Sequence, residues 1–423
     1  MIPFFEDYLQ KYSYRDTYIQ TMPNENLGIV VVIPCYNEPD IVAAVNSLYQ
    51  CEIPAFFSVE VIVVVNSSEL SNPDILEQNI LSINQLTNFV QNQQRADIHT
   101  YIIHEPALKH KDAGVGLARK IGMDEAVRRF LKINNPQGIV TGYDADCTCS
   151  ENYFIEIYNY LFHSSLHGCS IHFEHPLSVD DLYILQYEAY LRYYKLSFQY
   201  TCHPFAYHTI GSSFAVKAEH YCKQGGMNKK KAGEDFYFLQ KIIENQNYGE
   251  LTTTTVYPSG RPSDRVPFGT GAAIQKMIDN QIDSYPTYSF QAFHALRDFF
   301  IFLIKNEELE EIYKKVHISI QNFLETIDWE NKWDEIKGNS SSNKQRVHRF
   351  FRWFNAFTVL KYLNFAHSGY FEKEDVFKST TELLKILHVN SLQLSHSEKF
   401  EMLRKIEKEN QYHLNFELKK DNY

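Results

Sequence analysis

Two short runs, residues 29–33 (IVVVI) and 59–65 (VEVIVVV), constrain the fold of this chain more than any other feature. Both are nearly continuous in β-branched residues. A strand with one wet face alternates apolar and polar side chains, whereas a near-continuous apolar run needs cover on both faces. Further strand candidates follow at 100–103 and 138–143, and helical stretches begin near Pro39, Pro73 and Ala113. The third of these carries Met123, Val127, Phe130 and Leu131 as an apolar stripe suited to packing on a sheet. Strand–helix–strand alternation predicts a mainly parallel α/β sheet with helices on both faces.

In open sheets of this kind ligands gather beyond the C-terminal ends of the strands. Three of the predicted strands end in polar sequence: Pro34-Cys35-Tyr36-Asn37-Glu38, Asn66-Ser67-Ser68-Glu69 and Asp144-Ala145-Asp146. Two carboxylates one residue apart can share a divalent cation, which in turn can neutralise a diphosphate. The same residues also suit a turn or a helix cap. It is their convergence at the strand ends that points to a site.

Beyond Asp146 the pattern is mixed. Residues 169–174 (CSIHFE) read as a strand, 180–198 as a long aromatic helix, 212–217 and 252–257 as strands, with a helix opening at Glu234-Asp235 between the last two. From about residue 271 the β-branched runs disappear. Segments near 287–305, 307–326, 342–367, 373–388 and 394–410 suit amphipathic helices, and Gly338-Asn339-Ser340-Ser341-Ser342 breaks them as a loop. The expected organisation is a catalytic α/β domain over 1–270 and an all-helical accessory domain over 271–423.

Composition sets outer bounds. A chain of 423 residues with 44% hydrophobic and 22% charged residues has room for two or three ordinary globular domains. A net charge of -11 lacks the basic footprint of a nucleic-acid binder. Aromatic residues reach 15%, which chiefly implies aromatic cores. The seven cysteines form no CxxC pair and read as reduced thiols. No apolar run reaches the roughly 18 residues of a spanning helix. The start, MIPFFEDYLQKYSYRD, lacks the basic flank and apolar centre of a secretion signal. These features together predict a cytoplasmic protein, with attachment to a membrane surface left open.

Five segments, VVIPCYNE (31–38), the strand ending at Asn66, KDAGVGLARKIGMDEA (111–126), the DAD at 144–146 and GEDFYFLQKI (233–242), come one after another in an order that resembles a known family. Over about residues 27–270 the chain resembles the inverting, metal-dependent glycosyltransferases of family 2, which have the GT-A nucleotide-diphospho-sugar transferase fold. The helical tail lies outside the resemblance. It implies a nucleotide-sugar donor held by Pro34, Tyr36, Asn37 and Glu38, with Glu38 accepting from ribose hydroxyls. The family usually has an acidic residue after the second strand to read uracil; Asn66 stands there instead, so the base is open between uracil, guanine and others. Lys111 and Arg119 become candidate donor contacts, against a reading as solvated surface charge. Gly114-Val115-Gly116 permits close approach of a ligand or strand but is no dinucleotide fingerprint.

By the same resemblance Asp146 is the direct ligand of Mn²⁺ or Mg²⁺, and Asp144 faces ribose or a metal-bound water. His208 is a candidate third ligand, among His172, His175 and His203. Asp235 becomes the base that deprotonates an acceptor hydroxyl, with Glu234 orienting it or holding the acceptor. The loop 259–271 carries Arg261 and Arg265, four residues apart, as a diphosphate clamp or else as part of an ordinary linker. The acceptor, a glycan, small molecule or lipid, is not specified, nor is the oligomeric state. Two other readings stay open: a retaining GT-A transferase and a non-catalytic sugar-nucleotide binder. A nucleotidyltransferase is disfavoured by the lack of a Gly-rich basic loop after the first strand.

Overall fold

The computed structural model describes residues 3–177, 181–263, 269–305 and 309–409. The chain divides into two compact units, Met1–Pro176 with Thr209–Ala272 and Leu177–His208 with Ala273–Tyr423.

In chain order the elements of the first part are α1 (Pro3–Tyr12), β1 (Leu27–Cys35), α2 (Ile41–Tyr49), β2 (Ser58–Ser68), α3 (Pro73–Gln91), β3 (Ile98–Leu108), α4 (Val115–Lys132), β4 (Ile139–Gly142), β5 (Thr148–Cys149), α5 (Tyr153–Leu161) and β6 (Gly168–Phe173). After α6 (Leu182–Tyr200), which belongs to the second unit, come β7 (Phe214–Lys217), α7 (Ala218–Lys223), α8 (Glu234–Ile243), β8 (Tyr248–Tyr257) and α9 (Thr270–Asp279). The strands form one sheet of order β3-β2-β1-β4-β7-β6-β8-β5. The half built from β3, β2, β1 and β4 is wholly parallel, and β7 then enters antiparallel to both β4 and β6.

The β-branched runs are buried on both sides, as their composition requires. Ile29, Val31 and Ile33 with Val59, Val61 and Val63 face a core completed by Ile41, Val45 and Leu48 of α2 and by Tyr153 and Ile157 of α5. The alternate residues Val30, Val32, Ile62 and Val64 are equally buried, and α4 packs on β1 and β2. Glu60 interrupts the second run without exposing it, because Arg129 of α4 donates from Nε to its Oε2 at 2.7 Å. α1 packs against α4 and α7, with Tyr8 donating to Asp124 Oδ1 at 2.7 Å.

The second unit is helical. Besides α6 and most of α9 it comprises β9 (Pro286–Thr287), α10 (Phe290–Ile304), α11 (Leu309–Lys315), α12 (Ile318–Thr326), α13 (Trp329–Gly338), α14 (Asn343–Trp353), α15 (Ala356–Ala366), β10 (Glu374–Asp375), α16 (Val376–Ile386) and α17 (His396–Glu409). Two segments expected as single helices are each broken in two. Between α14 and α15, Asn355 Oδ1 caps the new helix by accepting from Phe357 and Thr358 N–H at 3.1 and 3.2 Å. His317 does the same for α12, accepting from Ser319 N–H at 3.2 Å. The aromatic helix α6 packs against α10, α16 and α17, so it groups with the C-terminal helices and not with the sheet that precedes it. Among the described residues no helix is long and apolar enough to cross a membrane.

Candidate active site

Three loops meet past the C-terminal ends of β1, β2 and β4. Asn37, after β1, has a φ of 50°, a left-handed conformation that Asn tolerates better than most residues. Asn79 of α3 fixes it: its Oδ1 accepts from Asn37 N–H at 2.9 Å, and its Nδ2 donates to the Asn66 carbonyl at 3.1 Å. One fully buried amide thus ties the ends of β1 and β2 together. Ser82 Oγ adds a 2.6 Å bond to the Glu38 carbonyl. Pro34 and Asn66 are buried at the strand ends, and Tyr36 is half-buried.

Asp144 and Asp146 sit on the turn that follows β4, closed by Cys147 N–H donating to the Asp144 carbonyl at 3.1 Å. Both carboxylates are partly exposed. They have different partners. Asp144 is bound by Arg119 Nη2, whereas Asp146 Oδ2 lies 3.8 Å from Arg261 Nη2. Arg261 also pairs with the buried Glu38, whose other oxygen accepts from Asp40 N–H at 3.1 Å. Arg265 lies outside the described residues.

Arg119 is the hub of the site. It projects from the second turn of α4, is almost wholly buried, and spans from Asp144 to Glu234 at the start of α8. Burial opposes its charge, but Asp144, Glu234 and Asp235 outweigh that and raise its pKa. It is not the solvated surface charge that was one of its two readings, and both its terminal nitrogens are engaged by carboxylates. Its Nε has no hydrogen-bond partner among the described residues.

Two glycines make that bridge sterically possible. A Cβ on Gly211 would fall 2.4–2.5 Å from the guanidinium of Arg119, so the group lies directly against bare backbone. A Cβ on Gly116 would fall 2.1 Å from the Lys230 carbonyl and 3.0 Å from Glu234 Cβ. The close approach expected of Gly114-Val115-Gly116 is therefore to the segment leading into α8. Gly211 and Asn79 were not anticipated; a lone Gly or Asn carries no signal until its neighbour is known.

Asp235 comes directly after Glu234 in the first turn of α8 and is partly buried, accepting from Phe236 N–H at 2.7 Å. Burial is the main force on its carboxyl, and the charge of Glu234 adds to it. Against the pull of Arg119, the pKa is pushed up to about 6. A carboxylate poised so near neutrality is suited to take and release a proton.

The other expected residues have surroundings of their own. Lys111 is exposed on the turn between β3 and α4. His208 belongs to the second unit, where its Nε2 stands 2.9 Å from Glu407 Oε1. His203, in the same unit, is buried with Nε2 at 2.7 Å from the Phe354 carbonyl. His172 lies 2.9 Å from Glu174, and His175 lies 3.2 Å from Thr270 Oγ1. Among the described residues no three or more His, Cys, Asp or Glu converge as a metal site.

No family model matches the chain, and no curated protein matches it. Among solved structures the chain is similar to S. aureus TarS 1-349 in complex with UDP-GlcNAc, with 14% identity and a TM-score of 0.40 over 81% of this chain and 91% of that one. It is similar to GalNAc-T7 with UDP, GalNAc and Mn²⁺, with 12% identity and a TM-score of 0.36 over 68% and 51% of the two chains. A third likeness is to the mannosyltransferase PcManGT from Pyrobaculum calidifontis in complex with GDP-Man and Mn²⁺, with 15% identity and a TM-score of 0.33 over 86% and 91%. Likenesses this distant assign no residue, so the roles of the side chains rest on the site's own geometry.

Proposed function

We propose that the protein is a glycosyltransferase that moves a sugar from a nucleoside-diphosphate donor to an acceptor hydroxyl with inversion at the anomeric carbon. The observation that carries this reading is the Arg119 bridge. It brings the Asp144/Asp146 turn beside the start of α8, where Asp235 offers a carboxyl with a pKa of about 6. A diphosphate site and a proton acceptor then adjoin, as a single in-line displacement requires.

Local charge supports a divalent cation, Mn²⁺ or Mg²⁺, entering with the donor. Among the described residues the carboxylates Glu38, Asp144, Asp146, Glu234 and Asp235 gather around Arg119 and Arg261, a setting that draws a cation. Two carboxylates on one turn fit a hard cation that takes its remaining ligands from phosphate oxygens and water. When bound, such a cation offsets the charge of the departing diphosphate.

In this reading Asp146 holds the cation and Asp144, oriented by Arg119, stands beside it. Glu38, Asn66 and Tyr36 face the nucleoside. Arg261 exchanges Glu38 and Asp146 for phosphate oxygens as the donor enters. Asp235 accepts the proton of the acceptor hydroxyl, and Glu234, pinned by Arg119, keeps that carboxylate oriented and its pKa high.

Asp235→Asn tests the assignment. The amide keeps the shape and cannot accept the proton, so transfer falls by about 10²–10⁴ while donor affinity, read by calorimetry with UDP- or GDP-sugars and Mn²⁺, is retained. Undiminished transfer in this variant removes Asp235 from its role. The configuration of the product's anomeric carbon, compared with the donor's, separates inversion from retention.

A further inference from the structure

We propose that Cys51 and Cys149 form a peroxide-sensitive thiol pair that closes to a disulfide and fastens the strand after the Asp144/Asp146 turn to the end of α2. The two Sγ atoms lie 3.5 Å apart, although the residues are 98 positions apart in sequence. All seven cysteines are reduced thiols. Cys149 lies on β5, a two-residue strand at the edge of the sheet three residues after Asp146, and it is partly exposed. Cys51 is buried just beyond α2.

The setting gives the two thiols different parts. Cys51 Sγ is held by the Ser47 and Ser150 carbonyls, at 3.3 and 3.5 Å. The hydrogen bond between the sulfurs lowers the pKa of Cys149, and the same bond, with burial, raises that of Cys51. Cys149 is the less buried of the two residues, and peroxide meets it first.

The chemistry balances with one equivalent of hydrogen peroxide. Cys149 thiolate attacks one peroxide oxygen and breaks the O–O bond; hydroxide leaves and is protonated to water, and Cys149 becomes a sulfenic acid. Cys51 sulfur then attacks the Cys149 sulfur and displaces a second water. Two thiols are oxidised and one peroxide is reduced. Closure from 3.5 Å to the roughly 2.05 Å of an S–S bond draws β5 toward α2. Since β5 also pairs with β8, the strand leading to Arg261, the bond restrains both acidic-turn flanks of the site.

The experiment uses the full reduced chain, treated with one equivalent of hydrogen peroxide, alkylated and mapped by mass spectrometry. The expected product joins the Cys51 and Cys149 peptides, is released by dithiothreitol, and shows slower amide exchange over residues 144–150. In Cys51→Ser the sulfenic acid on Cys149 persists and is trapped by dimedone. Unmodified Cys149 after treatment, over-oxidation of Cys149 without a cross-link, or a bond from Cys149 to another cysteine overturns the proposal. Should Cys51→Ser fail to fold, the wild-type map decides alone. No readout depends on sugar transfer, so the outcome is independent of the function proposed above.

Discussion

Replacing Arg119 with Met isolates the contribution of the hub. The side chain of Arg119 is 5% exposed, Glu234 is 2% and Asp144 is 36% exposed. The Asp144 half of the bridge is open to solvent, so its loss costs about 0–1 kcal/mol. The Glu234 half is different: removing one member of a buried pair strands the other charge, at about 3–5 kcal/mol. The buried carboxylate therefore dominates, and the variant loses about 3 kcal/mol or more. For a unit of this size, at roughly 2–4 °C per kcal/mol, the transition of the first unit falls by roughly 6–12 °C in calorimetry. Adding Glu234→Gln removes the stranded charge, and the double variant recovers most of that drop. A single variant that melts like the wild type, or a double variant with no recovery, refutes the claim that Arg119 and Glu234 compensate each other in a dry site.

The same geometry fixes two further outcomes. With Asp235 near pH 6 and active as the carboxylate, kcat/KM falls about tenfold per pH unit below about 6 and levels off above, as a pH–rate profile would record. The sign for stability is opposite to that of a salt-bridged acid. The folded-state pKa lies above the ordinary 3.8, so the folded chain binds the proton more tightly, and Asp235 withdraws stability as pH rises from about 4 to about 6. Asp235→Asn removes that slope in melting curves taken across this window. Gly116→Ala sets a Cβ 2.1 Å from a backbone carbonyl that cannot rotate away, so the segment before α8 must move. We expect a loss of about 1–3 kcal/mol and a fall in kcat larger than melting alone explains; unchanged kinetics would mean that the start of α8 does not position Asp235.

The sheet was legible because its physics is local. Residues 29–33 and 59–65 are too apolar to tolerate a wet face, and a parallel sheet with helices on both sides is the arrangement that covers them. The helical tail was legible as a type of structure but not in its breaks, since a cap such as Asn355 or His317 resembles any other polar residue until its acceptor meets an N–H. The placement of α6 was not legible at all. Its aromatic surface fits either a sheet or a helical bundle, and only the packing of α10, α16 and α17 decides between them. At the site, the acidic motifs could be read from the chain, whereas their pairing could not. Arg119 lies 25 residues from Asp144 and 115 from Glu234, and nothing in either spacing marks the contact.

That pairing changes what the acidic motifs mean. Each holds two neighbouring acids, and in each the first is bound by Arg119 while the second is not. Asp144 and Glu234 are thereby fixed in orientation, and a single cationic side chain serves two elements far apart in the chain. Asp146 Oδ2 stands 3.8 Å from Arg261, and Asp235 is left beside Glu234, whose charge adds to its proton affinity. Had Arg119 paired with Asp235 instead, the carboxyl would be held well below neutrality and would make a poor base at pH 7. In the proposed reading, the choice of Glu234 over Asp235 as the arginine's partner is thus what separates a structural carboxylate from a reactive one.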